Sequence, residues 1–211
     1  AISIDRYLPA LPVIAADLGA TVAAAQNTMS TFLAGMAIGQ LCLDPLADKL
    51  GRRRPLLGGI LLYTITSAAL VFAPSIGLLS AGRFVQGLGA CAGVVIARVV
   101  VRDRFDTTET ARLFSLTFLV LAIAPMLAPS AGAALMWLFG WHSIFLALAL
   151  FGAVTGLAVY LHLPESRSAA TAAQAAGESA LASYLAALHN RQVSGFVLAG
   201  ALNGAALLAY V

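Results

Sequence analysis

Apolar residues in this chain gather into long, nearly unbroken runs. The runs cover residues 1–16, 26–47, 55–74, 77–101, 112–135, 138–163 and 191–211. Most approach the roughly 17–25 residues that a helix needs to cross a hydrocarbon core of about 30 Å. The pattern predicts transmembrane helices. One stretch, PESRSAATAAQAAGESALASYLAALHN at 164–190, interrupts it with a helix-stopping proline and then Ala, Ser and Thr. Within it Leu181, Tyr184, Leu185 and Leu188 recur at the spacing of one helix face. Such a short amphipathic helix either lies on the membrane surface or serves as a plain linker.

That shift in composition marks a domain boundary. The expected organisation is a six-span bundle at 1–163, a linker at 164–190, and at 191–211 the start of a second bundle. The opening AISID has no initiator Met, charged flank or signal-peptide cleavage pattern, and the last run stops at Val211. The first and seventh spans are therefore expected to be truncated. A C-terminal half of the same protein is the expected partner.

Composition explains why the solvent must be lipid. Of 211 residues 61% are hydrophobic and 10% charged, and the mean hydropathy is +0.93. A soluble domain carries about 25% charged residues, so this chain cannot cover a water-facing surface. Cys42 and Cys91 lie inside apolar runs and read as packing residues. There is no phosphate-loop lysine pattern, nucleophile elbow or metal-ligand cluster. His142 and His162 have no partner at ligand spacing. The reading is a non-enzyme without metal, cofactor or nucleic-acid partner, driven by an ion gradient.

Charge sets the orientation. Lys49, Arg52, Arg53, Arg54, Arg102, Arg104, Arg112, Arg167 and Arg191 follow the even-numbered runs, whereas 17–21, 73–77 and 138–142 hold no Lys or Arg. By the positive-inside rule the basic loops and the 164–190 linker are cytoplasmic. Trp137 and Trp141 are then expected in an outer aromatic belt.

The densest basic stretch is DPLADKLGRRRPLL, residues 44–57. Asp48 ends the second span, Gly51 allows a sharp turn, and Pro55 can begin the next helix. Arg98, Arg102 and Asp103 lie at the inner end of the fourth span, where Asp103 can pair with an arginine of the 52–54 cluster. The other reading is that these charges only fix topology.

The ordered motifs carry a resemblance. DPLADKLGRRRPLL resembles the second-to-third-span signature of the major facilitator superfamily. LLSAGRFVQGLGACAG resembles its fourth-span signature, with Arg83, Gln86, Gly87 and Gly89 matching. APMLAPSAGAAL resembles its antiporter signature, with Pro129 and Gly132 matching. DRYLPALP and LPES are similar to the twelve-span drug:proton antiporters of the bicyclomycin- and chloramphenicol-resistance type. The resemblance implies an all-α polytopic bundle. It would be a six-helix half of two inverted three-helix repeats, plus part of a seventh helix. It implies proton-coupled efflux of small drugs across the inner membrane, with Asp48, Gly51, Arg52, Arg53 and Asp103 forming an inner gate. Asp44 stands where the signature has Gly, Arg6 follows the first-span acid, and Ala128 and Ala133 replace Gly in the fifth span.

Two charges fall inside spans. Asp5 precedes Asp17 by twelve residues, about 18 Å along a helix and near mid-bilayer. An acid there costs roughly 3 kcal/mol, so it is expected to face water and bind a proton. The alternative is an Asp5–Arg6 surface pair. Arg83 lies in the span that the inverted repeat makes equivalent, and there it either tunes a cavity carboxylate or snorkels to headgroups. Pro125, Pro129 and Gly132 predict a kinked, small-faced fifth span. The pairs Gly35–Gly39, Gly89–Gly93, Gly152–Gly156 and Gly200–Gly204 predict close helix contact. Tyr7, Gln26, Asn27, Met29, Met36 and Gln40 are the candidate substrate-cavity residues. A carrier for a metabolite such as a sugar or amino acid, or a nontransporting membrane sensor, are the competing functions.

Overall fold

The computed structural model describes residues 10–165 and 189–210, with the backbone alone at 129, 191, 192 and 203–210. The helices are α1 (Leu11–Asp17), α2 (Val22–Leu50), α3 (Arg53–Leu70), α4 (Ile76–Arg104), α5 (Thr107–Phe139), α6 (His142–His162) and α7 (Arg191–Tyr210). The chain divides into two compact units, Ala1–Ser168 and Ala169–Val211. The first unit holds α1 to α6 and the second holds α7. The expected amphipathic helix at 181–188 lies outside the described residues.

Helix starts follow from side chains that satisfy otherwise unbonded backbone N–H groups. Thr21 Oγ1 accepts from Ala24 N at 3.1 Å, Ser75 Oγ from Leu78 N at 3.4 Å, and Asp106 Oδ1 from Glu109 N at 2.7 Å. The loops are shorter than the charge pattern suggests. Only Gly51 and Arg52 separate α2 from α3, and only Phe105 and Asp106 separate α4 from α5. Lys49, Arg102 and Arg104 sit in last helical turns, where cations meet the negative end of the helix dipole. The stretch at 102–112, read as a loop, is therefore mostly helix. Gly51 makes the first of these turns at φ +91°, the left-handed region that favours glycine.

Packing centres on α4, which lies against α2 on one side and α3 on the other, while α3 also packs on α6. Between lipid-solvated helices, close van der Waals contact must replace the hydrophobic effect, which favours small residues at the seam. A Cβ at Gly35 would run into the Phe84 carbonyl, and one at Gly87 into the Phe32 carbonyl. Helices α2 and α4 thus meet backbone to backbone. On the other seam a Cβ at Gly89 would lie 2.6 Å from the Gly59 carbonyl oxygen. The four predicted glycine pairs fare unequally. Gly35, Gly39, Gly89 and Gly152 sit at tight crossings and Gly156 faces Ile60, but Gly93 and Gly200 have nothing within reach of a Cβ.

Two apolar cores fill the first unit. One gathers Leu11, Ile14, Tyr63, Leu79, Ile144, Phe145 and Leu148; the other gathers Leu43, Leu56, Cys91, Ile96 and Val100. On α4, Arg83 and Gln86 fall between Leu79 of the first and Cys91 of the second. Helix α5 stands at the margin, contacting α6 and α4 only lightly, and it continues without a break through Pro125 and Pro129.

Among the described residues α4, α5 and α6 are long and apolar enough to cross a membrane. Helices α2 and α3 fall outside that group. Gln26, Asn27, Gln40 and Asp44 dilute the first, and Arg53 and Arg54 occupy the first turn of the second. The aromatic belt needs correcting too. Trp137 is 85% exposed, as a belt residue is, but Trp141 is 3% exposed because its indole is hydrogen-bonded inward to Asp17.

Candidate functional site

The charged residues of the 44–57 stretch converge at one end of the first unit. Arg52 follows the Gly51 turn, so its guanidinium lies between the last turns of α2 and α4. It forms an ion pair with Asp48, and its Nε donates to Asp103 Oδ2 at 3.2 Å. Its side chain is 6% exposed. Burial works against the charge, but the Asp48 and Asp103 carboxylates more than offset it, holding the guanidinium above its ordinary value.

The same residue is held from behind. Glu165, just after α6, accepts from Arg52 N at 2.7 Å and from Arg53 N at 3.2 Å. Two unbonded N–H groups at the start of α3 are thereby satisfied by one carboxylate. Arg53 returns the contact, its Nη2 donating to the Tyr160 carbonyl at 2.6 Å with the guanidinium 5.3 Å from the Tyr160 ring. Four helix ends, those of α2, α3, α4 and α6, are thus clasped at the basic end. Asp48, Gly51, Arg52, Arg53 and Asp103 come together there. Glu165 carries no signal of this role in the sequence, since nothing in LPES indicates a partner more than a hundred positions back.

A second polar group lies deep in the bundle. Arg83 is fully buried, with its Cζ 4.3 Å from the centre of the Phe32 ring on α2. Its Nη1 donates to Gln86 Oε1 at 2.7 Å, Gln86 Nε2 donates to Ser67 Oγ at 2.6 Å, and Ser67 Oγ donates to the Tyr63 carbonyl at 2.6 Å. Gln86 and Ser67 are fully buried as well. A snorkelling Arg83 would carry an exposed guanidinium, so that alternative does not describe this side chain.

The remaining candidates do not gather. Asp5, Arg6 and Tyr7 lie outside the described residues. Gln26 and Asn27 are exposed on the first turns of α2, Gln40 is half-buried, and Met29 packs against the first core. Among the described residues of this set, Met36 lines the cavity of about 290 Å³ between α2, α3, α4, α5 and α6, with Phe32, Tyr63, Phe151 and Thr155. Pro125 is exposed on α5 and Gly132 is buried, while nothing is described of the Pro129 side chain. Asp44 is exposed on α2.

Comparison with known proteins fits this architecture. A family model described as Major Facilitator Superfamily matches residues 1–211. The chain is 41% identical over 167 residues to an uncharacterized MFS-type transporter, YdgK, of Bacillus subtilis, covering 78% of this chain and 42% of that protein. It is 31% identical over 208 residues to a bicyclomycin resistance protein homolog of Haemophilus influenzae, covering 99% and 52%. With multidrug resistance protein MdtL of Escherichia coli O157:H7 it shares 42% identity over 171 residues, 81% and 44% of the two chains. The chain spans about half the length of the curated relatives it matches. With a family match over its full length and a bundle of apolar helices beneath it, the chain belongs to the Major Facilitator Superfamily of integral membrane transporters.

Proposed function

We propose that this chain is the N-terminal half of a proton-coupled exporter, which moves small drugs or other amphipathic compounds across the inner membrane by alternating access. The observation that carries this reading is the 31% identity over 99% of the chain to a protein named for bicyclomycin resistance. In this reading a second six-span bundle of the same protein faces this one, and substrate sits between them near mid-bilayer. The basic end faces the cytoplasm, where the Arg52 clasp moves the ends of four helices as one body. A rigid body is what rocking requires.

Asp5 takes and releases the proton, and Arg83 adjusts the charge balance of the cavity around it. The proton gradient supplies the energy without metal or organic cofactor. Pro125, Pro129 and Gly132 give α5 the small, adaptable face of an antiporter, and Tyr7, Gln26, Asn27, Met29, Met36 and Gln40 contribute to loose recognition of substrate.

The test uses the full-length protein in proteoliposomes with a pH dye inside, challenged with amphenicols, bicyclomycin-like compounds and lipophilic cations. Drug-driven proton movement is expected, and Asp5→Asn abolishes it. Proton movement retained in Asp5→Asn would move the proton site elsewhere. No coupled movement with any drug, alongside uptake of a sugar or amino acid, would make the protein a metabolite carrier.

A further inference from the structure

The chain Arg83–Gln86–Ser67–Tyr63 has only one way to satisfy its hydrogen bonds. The Tyr63 carbonyl can only accept, so the Ser67 hydroxyl spends its single hydrogen there, at 2.6 Å. Ser67 Oγ then has lone pairs alone to offer its other neighbour. Gln86 must therefore turn its NH₂ towards Ser67, at 2.6 Å, which leaves its carbonyl oxygen aimed at Arg83 Nη1, at 2.7 Å. An amide's oxygen and nitrogen ends are otherwise hard to tell apart. Here a backbone carbonyl of α3 fixes the polarity of a side chain on α4.

We propose that Ser67 is a positioning residue for Arg83: it takes up the Gln86 NH₂ and so holds the amide oxygen against the guanidinium. All three side chains are fully buried, so no water stands ready to replace the missing acceptor when Ser67 is removed. An orphaned buried N–H is costly, and the amide of Gln86 swings away to find another acceptor. The guanidinium then loses one of the contacts that fix it over the Phe32 ring, 4.3 Å below. The effect on transport rests on the exporter reading above; the anchoring of Arg83 does not.

The test uses the full-length transporter and three variants. Ser67→Ala suits a helix interior and removes only the hydroxyl, so folding is retained. It is expected to lower drug-driven proton turnover about tenfold, the scale of one lost hydrogen bond to a charged group. Ser67→Ala with Gln86→Glu is expected to restore the anchoring of Arg83, because a carboxylate presents an oxygen to the guanidinium and has no N–H to orphan. Gln86→Glu alone sets a carboxylate oxygen against the Ser67 lone pairs, so it is expected to hold Arg83 less well than the double variant does. A packing role for Ser67 would show no such recovery.

A second readout does not need transport. In protein labelled with ¹⁵N-arginine and assigned by Arg83→Lys, the Arg83 Nη–H signals are expected to be resolved and slow to exchange. They should average in Ser67→Ala and return in the double variant. Unchanged signals in Ser67→Ala, or averaging that persists in the double variant, would overturn the anchoring. Wild-type protein that moves no protons with any drug would sink the exporter reading alone and leave the arginine signals to decide this one.

Discussion

The indole Nε1 of Trp141 donates to Asp17 Oδ2 at 2.8 Å, tying the start of α6 to the end of α1. This contact closes the bundle at the end opposite the Arg52 clasp. The ring is 3% exposed, stacks on His142 at 3.8 Å and meets Phe145 edge-on at 6.0 Å. Trp141→Phe keeps an aromatic body but removes the donor, leaving a carboxylate without its partner. Asp17 is exposed, so water takes over much of the lost contact, and the variant is expected to lose about 0.5–1.5 kcal/mol. Thermal unfolding followed by a thiol-reactive dye reporting on the buried Cys91, in a Cys42→Ser background, measures it. A melting temperature equal to that of the parent would mean that the pair contributes nothing.

The two glycine environments on α4 make opposite predictions. Gly87→Ala drives a methyl into the Phe32 carbonyl, a backbone atom that cannot rotate away. It should cost about 1–3 kcal/mol through forced separation of α2 and α4. Gly93→Ala meets nothing within 4 Å and removes a helix-weakening residue, so it should stabilise by up to about 1 kcal/mol. The same unfolding assay reports both, and equal effects would contradict the seam.

Glu165 caps the first turn of α3 from beyond α6. Glu165→Ala should cost about 0.5–2 kcal/mol, the worth of a helix cap. It should also speed hydrogen exchange at the Arg52 and Arg53 amides while leaving mid-helix amides of α3 protected. Gly51→Ala should give the same exchange signature for a different reason. Alanine at φ +91° is strained, and its Cβ would press to 2.5 Å from Glu165 Oε2. Slow exchange in both variants would rule the cap out.

Asp48 and Asp103 share one guanidinium, so their contributions should not add. Asp48→Asn and Asp103→Asn are each expected to cost about 1–3 kcal/mol, since the arginine between them is buried. The double variant should depart from the sum by about 0.5 kcal/mol or more, as neighbours in one network do. A double-variant cycle by chemical unfolding measures the coupling. Strict additivity would mean that the clasp is two separate contacts.

Helix positions were legible because an apolar run of about twenty residues has the length of a bilayer core, and α2 to α7 each lie within a few residues of their runs, whereas α1 covers only the end of the first run within the described residues. The helix ends were less so. Lys49, Arg102 and Arg104 look like loop residues by charge, yet the dipole of the preceding helix keeps them in its last turn. Asp103 was expected to pair with an arginine of the 52–54 cluster, which one being open, and packing decides for Arg52. Ser67 carried no signal at all. A serine in an apolar run looks like tolerated polarity until its partner, nineteen positions away, is folded against it. Trp141 was misread for a related reason: its belt-like position in sequence says nothing about the Asp17 carboxylate on a different helix.

The modest apolarity of α2 and α3 bears on what surrounds them. Among the described residues neither joins α4, α5 and α6 as long and apolar enough to cross a membrane by length and composition, and a turn of two residues binds them into one hairpin. Both pack on α4, whose small residues receive them at backbone distance. Helix α4 is thus a share of their solvent, since each seam takes a strip of backbone out of contact with lipid.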